Sequence, residues 1–209
     1  MILYDYFRSS AAYRVRIAIE LKGLTVERQP VHLARGEQQR PDYRAKNPQA
    51  LVPTLELDDG TTLTQSLAII DYLDTIAPQP PLLPAEPVLA ARIRAAALVI
   101  ACDIHPLTNL RVMHDLEWRL SAEPKALDGW RRRWMLDGLE AVERLIVPAP
   151  FCFGSAPSLA DVCLIPQLFS ARRFSISFEH LPRITAVEAA CRDLAAFRAA
   201  HPQAQTDTE

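Results

Sequence analysis

Arg8-Ser9-Ser10-Ala11-Ala12-Tyr13-Arg14-Val15-Arg16 is the stretch on which the reading of this chain turns. It follows a short apolar run, Ile2-Leu3-Tyr4-Asp5-Tyr6-Phe7, and leads into a helical pattern that ends at Leu21-Lys22-Gly23. Two serines therefore stand where a strand hands over to a helix. The first N–H groups of a helix have no partner within it and the helix dipole makes that end positive, so an anion is favoured there. A hydroxyl in that place can cap the helix or hold a bound thiolate, and the surrounding sequence has to decide between the two.

Working outward, residues 2–7 read as a first strand and 12–22 as a first helix. Val15, Ala18, Ile19 and Lys22 share one face, Ile17 and Leu21 lie beside it, and Gly23 suits the residue after a helix. Residues 25–33 carry a second strand, and 36–46 a polar, irregular stretch with weak helical character. Residues 51–57 and 61–64 form two short strands around the turn Asp58-Asp59-Gly60. Residues 66–76 are helical, with Leu67, Ile70, Leu73 and Ala77 apolar, and are capped by Gln65 or Ser66. The order β-α-β-α-β-β-α makes residues 1–77 a small α/β domain.

A boundary follows. Ala77-Pro78-Gln79-Pro80-Pro81-Leu82-Leu83-Pro84-Ala85-Glu86-Pro87 holds five prolines in eleven residues. Such a run cannot continue a helix and reads as a stiff extended linker over 78–87. Beyond it no strand pattern stands out, and 88–209 reads as an all-helical domain. Residues 88–120 form one long or broken helix. Residues 128–146 form another, with Trp130, Trp134, Leu139, Val142 and Leu145 as its buried face. Ser158-Leu159-Ala160-Asp161 opens a third, an acidic residue three after a serine being the pattern of a capping box. Residues 184–200 form the last helix, and the polar tail 202–209 reads as loose.

Composition narrows the function classes. With 209 residues, 49% of them hydrophobic, the chain can bury one large core or two small ones. A net charge of −2 speaks against a general nucleic-acid binder, and the basic run Arg131-Arg132-Arg133 reads as a solvated helix face. No stretch approaches the ~20 apolar residues of a membrane helix, and the start lacks the pattern of a signal peptide, so a cytoplasmic protein with no membrane partner is expected. Cys102, Cys152, Cys163 and Cys191 show neither a CxxC pair nor metal-like spacing with histidine. No disulfide framework and no metal site are expected, and Cys163 and Cys191 read as buried structural residues.

Two further markers carry possible chemistry. Val52-Pro53-Thr54 follows Asn47-Pro48-Gln49-Ala50-Leu51. A proline there can be a plain edge residue or a cis-proline that frees the backbone of Val52 for an extended ligand, and the sequence alone favours the ordinary trans bond. Gln65-Ser66 by itself reads as a helix cap, although the same N–H groups and the Ser66 hydroxyl could take a bound carboxylate.

Together these markers resemble the glutathione transferase superfamily, whose thioredoxin-like N-terminal domain is joined to an all-helical domain. The resemblance covers nearly the whole chain and narrows to the zeta class. It rests on Arg8-Ser9-Ser10 with Tyr13-Arg14-Val15-Arg16-Ile17-Ala18, on Leu21-Lys22-Gly23, on Asn47-Pro48 with Val52-Pro53-Thr54-Leu55, and on Gln65-Ser66-Leu67-Ala68-Ile69-Ile70. The helical half adds Asp103-Ile104-His105-Pro106-Leu107 with Asn109-Leu110, then Leu159-Ala160-Asp161 and Ala171-Arg172-Arg173-Phe174. One departure stands out: the family usually has a cysteine immediately after the two serines, and here that position is Ala11.

The resemblance implies a glutathione-dependent cis–trans isomerase of a small dianionic keto acid. Maleylacetoacetate would become fumarylacetoacetate by thiolate addition, bond rotation and elimination. Maleylpyruvate isomerisation is the close alternative. A general glutathione transferase or dehalogenase is a second enzyme reading, and a binding scaffold without catalysis a non-enzyme one. By the same resemblance Ser10 holds the sulfur, with Ser9 a neighbouring contact and the helix cap. Val52, preceding Pro53, pairs with the cysteinyl backbone of glutathione, and Gln65 and Ser66 take its γ-glutamyl carboxylate. Gln38 is a further glutathione contact, and His105 and Asn109 line the site from the helical domain. Arginine forks suit a dianion. Arg173 matches a carboxylate role, whereas Arg8 and Arg111 are equally readable as substrate contacts or as surface residues. Tyr4 and Tyr6, inside the strand pattern, read as packing. A homodimer is implied by the class alone.

Overall fold

The computed structural model describes residues 1–207 and divides into two compact units. One is Met1–Pro81 together with the chain from Arg192 onward, and the other is Leu82–Cys191. The junction falls inside the proline cluster. At the other end the compact units divide differently from the expected helical domain over 88–209: the chain from Arg192 packs with the first unit.

The first unit is built on strands β1 (Ile2–Asp5), β2 (Glu27–Pro30), β3 (Thr54–Glu56) and β4 (Thr62–Thr64), in the sheet order β2-β1-β3-β4. β1 runs parallel to β2 and antiparallel to β3, and β3 pairs antiparallel with β4. Helices α1 (Ser10–Leu21), α2 (Pro41–Lys46) and α3 (Ser66–Ile76) complete the expected β-α-β-α-β-β-α order. Two 3₁₀ turns, Leu33–Arg35 and Glu37–Gln39, occupy part of the polar stretch before α2. β1 is shorter than its apolar run because Tyr6 leaves the sheet to open a turn, its carbonyl accepting the Ser9 N–H at 2.9 Å. Tyr6 and Phe7 then pack with Val31, Tyr43 and Val52, which bears out packing as the role of Tyr6.

Helix α1 is more deeply buried than a one-faced pattern suggests. Val15, Ile17 and Ala18 are fully enclosed, and so nearly are Arg14 and Arg16. The helix ends at Gly23, whose φ of +61° is a left-handed conformation that costs glycine little.

Register brings three separate segments to one end of this sheet. Tyr4 lies opposite Thr54, and Thr54 opposite Thr64. Two residues further along the same register, Tyr6 comes alongside Val52, and the chain leaving β4 supplies Gln65 and Ser66. The turn carrying the two serines, the Val52-Pro53 strand entry and the start of α3 thus share an edge because of pairing alone.

The second unit is helical: α4 (Pro87–Leu98), a π-helical stretch (Val99–Ile104), α5 (His105–Thr108), α6 (Leu110–Leu120), α7 (Pro124–Leu145), α8 (Leu159–Arg173) and α9 (Pro182–Arg192). The expected long helix over 88–120 is broken twice. Pro106 has no N–H to give, and His105 donates its own to Ile100, five residues back. Asn109 then leaves the helix and caps α6, its Oδ1 accepting the Val112 N–H at 3.3 Å. α7 passes close by because residue 138 is glycine: a Cβ there would overlap the Ile104 side chain. The buried face of α7 includes Met135, Leu139 and Val142, whereas Leu145, expected inside, is 40% exposed and Trp130 and Trp134 are half-buried.

α8 opens with the capping box that Ser158 and Asp161 predict. The expected helix over 184–200 is two helices, α9 and α10 (Ala195–Ala200), separated at Asp193-Leu194. Among the described residues no helix is long and apolar enough to cross a membrane, and no cluster of His, Cys, Asp and Glu is set to hold a metal ion.

Candidate active site

At the shared edge of the first unit the two serines separate into different roles. Ser9 is the N-cap of α1, and its Oγ accepts the Ala12 N–H at 3.2 Å. Ser10 is the first helical residue, 8% exposed, and its hydroxyl is not the one used for the cap. The capping alternative is thus taken by Ser9. One hydroxyl closes the helix, and the other stands at the positive end of the dipole.

Val52 is buried and the Val52-Pro53 peptide is cis, where the sequence alone favours trans. Among the described residues neither the N–H nor the C=O of Val52 takes a hydrogen bond, an uncommon state for a buried backbone. Both groups are those an extended peptide would pair with. The loop before Val52 is held by Asn47, 2% exposed, whose Nδ2 donates to the Leu51 carbonyl at 2.7 Å and to Thr54 Oγ1 at 3.1 Å. Its Oδ1 accepts the Gln49 N–H at 3.0 Å. The Tyr43 hydroxyl donates to the same Leu51 carbonyl at 2.6 Å, and burial pushes that phenol up to about 12.

Gln65 precedes α3 with φ +68° and ψ +117°, a conformation non-glycine residues rarely adopt, and its side chain makes no cap. It donates instead to Gln49 Oε1 at 2.6 Å. The sequence reading expects Gln65 or Ser66 to cap this helix, and the structure corrects it. The first-turn N–H groups of α3 have no side-chain cap, unlike those of α1. An uncapped, partly enclosed helix start is suited to a carboxylate. Ser66, 6% exposed, accepts from Arg14 Nη1 at 3.3 Å, so a buried arginine of α1 reaches the start of α3. Gln38 lies in the second 3₁₀ turn, and its shielded Oε1 has no hydrogen-bond partner among the described residues. Arg8 is exposed, with its guanidinium 4.8 Å from the Phe7 ring centre.

The remaining candidates belong to the second unit. His105 is half-buried at the start of α5, directly after the π-helical stretch. Its segment is pinned by Trp130 Nε1, which donates to the Leu107 carbonyl at 2.7 Å. Asn109 is occupied as a helix cap. Arg111 is exposed on α6, and Arg173 is exposed at the end of α8 with its guanidinium 4.6 Å from the Phe174 ring centre. Sequence reasoning missed two buried groups that shape the serine turn, Arg16 and Asp5. Arg16 Nη1 donates to Asp5 Oδ1 at 2.9 Å, and its Nη2 to the Phe7 carbonyl at 3.0 Å. Burial draws Arg16 below the usual guanidinium range while Asp5 pushes it back up.

The cysteines do not compete for the chemistry. Cys152, Cys163 and Cys191 are buried. Burial, with Asp161 nearby, pushes the thiols of Cys152 and Cys191 up, so both are held protonated. Cys102 is exposed on the helical unit.

Comparison with known proteins matches this picture. Residues 3–81 fit the family model for the glutathione S-transferase N-terminal domain, and residues 135–204 that for its C-terminal domain. The chain is 46% identical to a maleylacetoacetate isomerase of Pseudomonas aeruginosa, covering 100% of this chain and 99% of the relative. A solved holo structure of maleylpyruvate isomerase, a bacterial glutathione S-transferase in the zeta class, is 42% identical with a TM-score of 0.96 and full coverage, 100%, of both chains. A maleylacetoacetate isomerase from Methylobacterium extorquens AM1, solved with bound malonate and glutathione, is 38% identical with a TM-score of 0.96, again covering 100% of each chain.

Proposed function

The chain belongs to the glutathione S-transferase family, and on that premise we propose that it is a glutathione-dependent cis–trans isomerase of the zeta class, acting on maleylacetoacetate. The observation that carries the reading is the edge at which Ser10, the unpaired backbone of Val52 and the uncapped start of α3 come together on one sheet register. A second reading, maleylpyruvate as substrate, is favoured by the 42% identity and TM-score of 0.96 to a maleylpyruvate isomerase. Both substrates are dianionic cis keto acids.

These residues fit glutathione. The Val52 N–H and C=O offer the antiparallel pair its cysteinyl backbone needs. The first N–H groups of α3, with Gln65 and Ser66, receive its γ-glutamyl carboxylate, and Gln38 Oε1 accepts a further donor. When bound, glutathione supplies a thiolate that adds to the conjugated double bond and leaves after rotation about the resulting single bond. A free thiol titrates near 8.5, so at neutral pH something must favour its ionised form. Ser10 does this by donating its hydroxyl hydrogen from the positive end of α1. Ser9, committed to capping, fixes the helix start that Ser10 stands on. Ala11 offers no thiol, so no protein sulfur takes part at this position.

Arg173 binds a carboxylate of the substrate in this reading. Arg173→Gln is expected to lower kcat/KM for the keto acid about 10- to 100-fold through KM, with the KM for glutathione unchanged. Steady-state kinetics with each substrate varied in turn check this, and an unchanged keto-acid KM would count against the dicarboxylate role. Asn47→Ala is expected to cost about 2 kcal/mol of stability, because Leu51 and Thr54 lose a buried donor, and to raise the Kd for glutathione severalfold through a loosened Val52. Thermal unfolding and calorimetric titration measure the two effects.

A homodimer and a cytoplasmic location are part of the proposal, supported by the class resemblance; light scattering of the purified chain tests the first. The deciding experiment is an ultraviolet assay of both maleylacetoacetate and maleylpyruvate, with and without glutathione. Turnover that requires glutathione is the expected result. No turnover of either substrate would overturn the isomerase reading in favour of a transferase or a binding scaffold.

A further inference from the structure

Of the polar tail 202–209, expected to be loose, residues 202–207 are fastened to the serine turn, and 208–209 lie outside the described residues. Pro202–Ala204 forms a 3₁₀ turn whose first amide, that of Gln203, is capped by His201 Nδ1 at 3.2 Å. Gln205 Nε2 then donates to the carbonyls of Ala199 at 2.8 Å and His201 at 2.7 Å, while its Oε1 accepts from Arg28. Asp207, with a side chain only 11% exposed, lies 3.5 Å from Arg28 Nη2 and accepts the Phe7 N–H at 3.0 Å. Arg28 is itself anchored on the buried Asp5 through Nε at 2.9 Å and Nη2 at 2.5 Å.

Phe7 is therefore gripped from both sides. Its N–H goes to Asp207, and its C=O to Arg16, which also donates from Nε to the Ala200 carbonyl at 3.0 Å. Phe7 is the second residue of the turn closed by Ser9 N–H on the Tyr6 carbonyl at 2.9 Å. Phe7 is 4% exposed, so its N–H would otherwise be an enclosed donor without an acceptor. The buried Asp5 and Arg16, with the half-buried Arg28, thus tie the segment up to Asp207 to the turn that presents the serines.

We propose that Asp207, carried on the C-terminal strap and held by Arg28, is a positioning residue that fixes the serine turn and with it the Ser10 hydroxyl. The inference rests on the reading that Ser10 meets the glutathione thiol. Asp207 touches no reactant; its effect passes through the Phe7 backbone to the start of α1. A hydroxyl displaced by a fraction of an ångström from its acceptor loses much of its hydrogen bond, so the strap tunes the thiol rather than the binding of glutathione.

The test compares the full-length protein with Asp207→Ala and Asp207→Asn; asparagine keeps an oxygen for the Phe7 N–H and loses the charge. In Asp207→Ala the apparent pKa of enzyme-bound glutathione, followed by thiolate absorbance, is expected to rise by about half a unit, and kcat to fall about threefold to tenfold. The KM for glutathione stays within about twofold, and Asp207→Asn recovers most of the loss. A variant with a lower melting temperature but an unchanged thiol pKa and kcat would overturn the proposal, leaving the tail a purely structural element. Amide exchange at Ala12, whose N–H the Ser9 hydroxyl holds, gives a readout independent of any ligand. Faster exchange there in Asp207→Ala supports the strap even if neither keto acid is turned over, and unchanged exchange refutes it even if both are.

Discussion

Ser10→Ala is expected to lower kcat for the isomerisation about 100-fold while leaving the fold intact. The two halves of that expectation come from different neighbours. The helix cap is made by Ser9, whose Oγ accepts the Ala12 N–H, so removing the Ser10 hydroxyl leaves the start of α1 closed. Alanine also has the highest helix propensity, and a first-turn substitution of this kind changes stability by no more than about 0.5 kcal/mol. The thiolate, by contrast, loses its one hydroxyl donor and keeps only the dipole of α1. Its pKa drifts back towards the value of about 8.5 for a free thiol, and the acid limb of the kcat/KM profile moves to higher pH with it. Glutathione binds almost as before, since Val52 and the start of α3 hold the rest of it. Ser9→Ala should show the reverse pattern, about 1 kcal/mol of lost stability and a smaller change in kcat. If Ser10→Ala kept a third or more of the wild-type kcat, the sulfur would have to be activated from elsewhere.

How far these roles were visible in the sequence depended on how local their causes are. The helix after the serines, the turn at Gly60, the start of α3 at Ser66 and the capping box at Ser158 are settled by residues within four positions of one another, and each is found as expected. Breaks with a local cause were half legible. Pro106 marks the disturbance in the long helix, but its resolution into a π-helical stretch needs the close passage of Gly138, thirty-odd residues on. The cis state of Val52-Pro53 and the left-handed φ of Gln65 are not marked by residue type, and the sequence alone leans the other way on the first. Least legible were long-range polar contacts. The pairing of Phe7 with Asp207 spans 200 positions, and that of Arg16 with Ala200 spans 184. No periodicity connects such residues, and charged side chains in a helix pattern are read as exposed. Arg14 and Arg16 are buried because Ser66, Asp5 and backbone carbonyls satisfy them, which only the folded topology supplies.

That distinction bears on the chemistry. Ala11 stands where the resemblance leads one to expect a cysteine, which leaves the serines as the remaining source of activation. The structure adds that the serine turn is held by a charge network, the buried Arg16–Asp5 pair extended by the half-buried Arg28. A buried ion pair is poor evidence for stability, because desolvation offsets most of its attraction. Here it serves geometry: each of the two arginines has a second partner, Arg16 on the serine turn and Arg28 on the returning segment at Asp207.

Asp161→Ala is expected to cost about 3–5 kcal/mol, enough to lower the melting temperature by roughly 10 °C in a chain of this size. Asp161 is fully enclosed at the start of α8. Its Oδ1 accepts the Cys152 N–H at 2.8 Å, and its Oδ2 accepts the Ser158 N–H at 2.8 Å and the Ser158 Oγ–H at 2.7 Å. Cys191 Sγ lies 4.0 Å from Oδ1, so one carboxylate ties together the loop before α8, the start of α8 and the end of α9. Alanine would strand all three donors in the interior, and each buried donor without an acceptor costs about 1–3 kcal/mol. Asparagine should rescue little, because its Nδ2 would face an N–H at one of the two occupied positions. The pH dependence has a definite sign. Burial, the largest influence, pushes the Asp161 carboxyl above its ordinary value, with the surrounding donors pulling it partly back. A carboxyl raised in the folded state contributes fully below its unfolded pKa of about 3.9, and that contribution declines as pH rises through the raised value. The deficit of Asp161→Ala is therefore expected to narrow from about pH 4 towards neutrality, as measured by thermal unfolding of both proteins across that range. A deficit that widened instead would mean that the hydrogen bonds to the ionised carboxylate outweigh its desolvation.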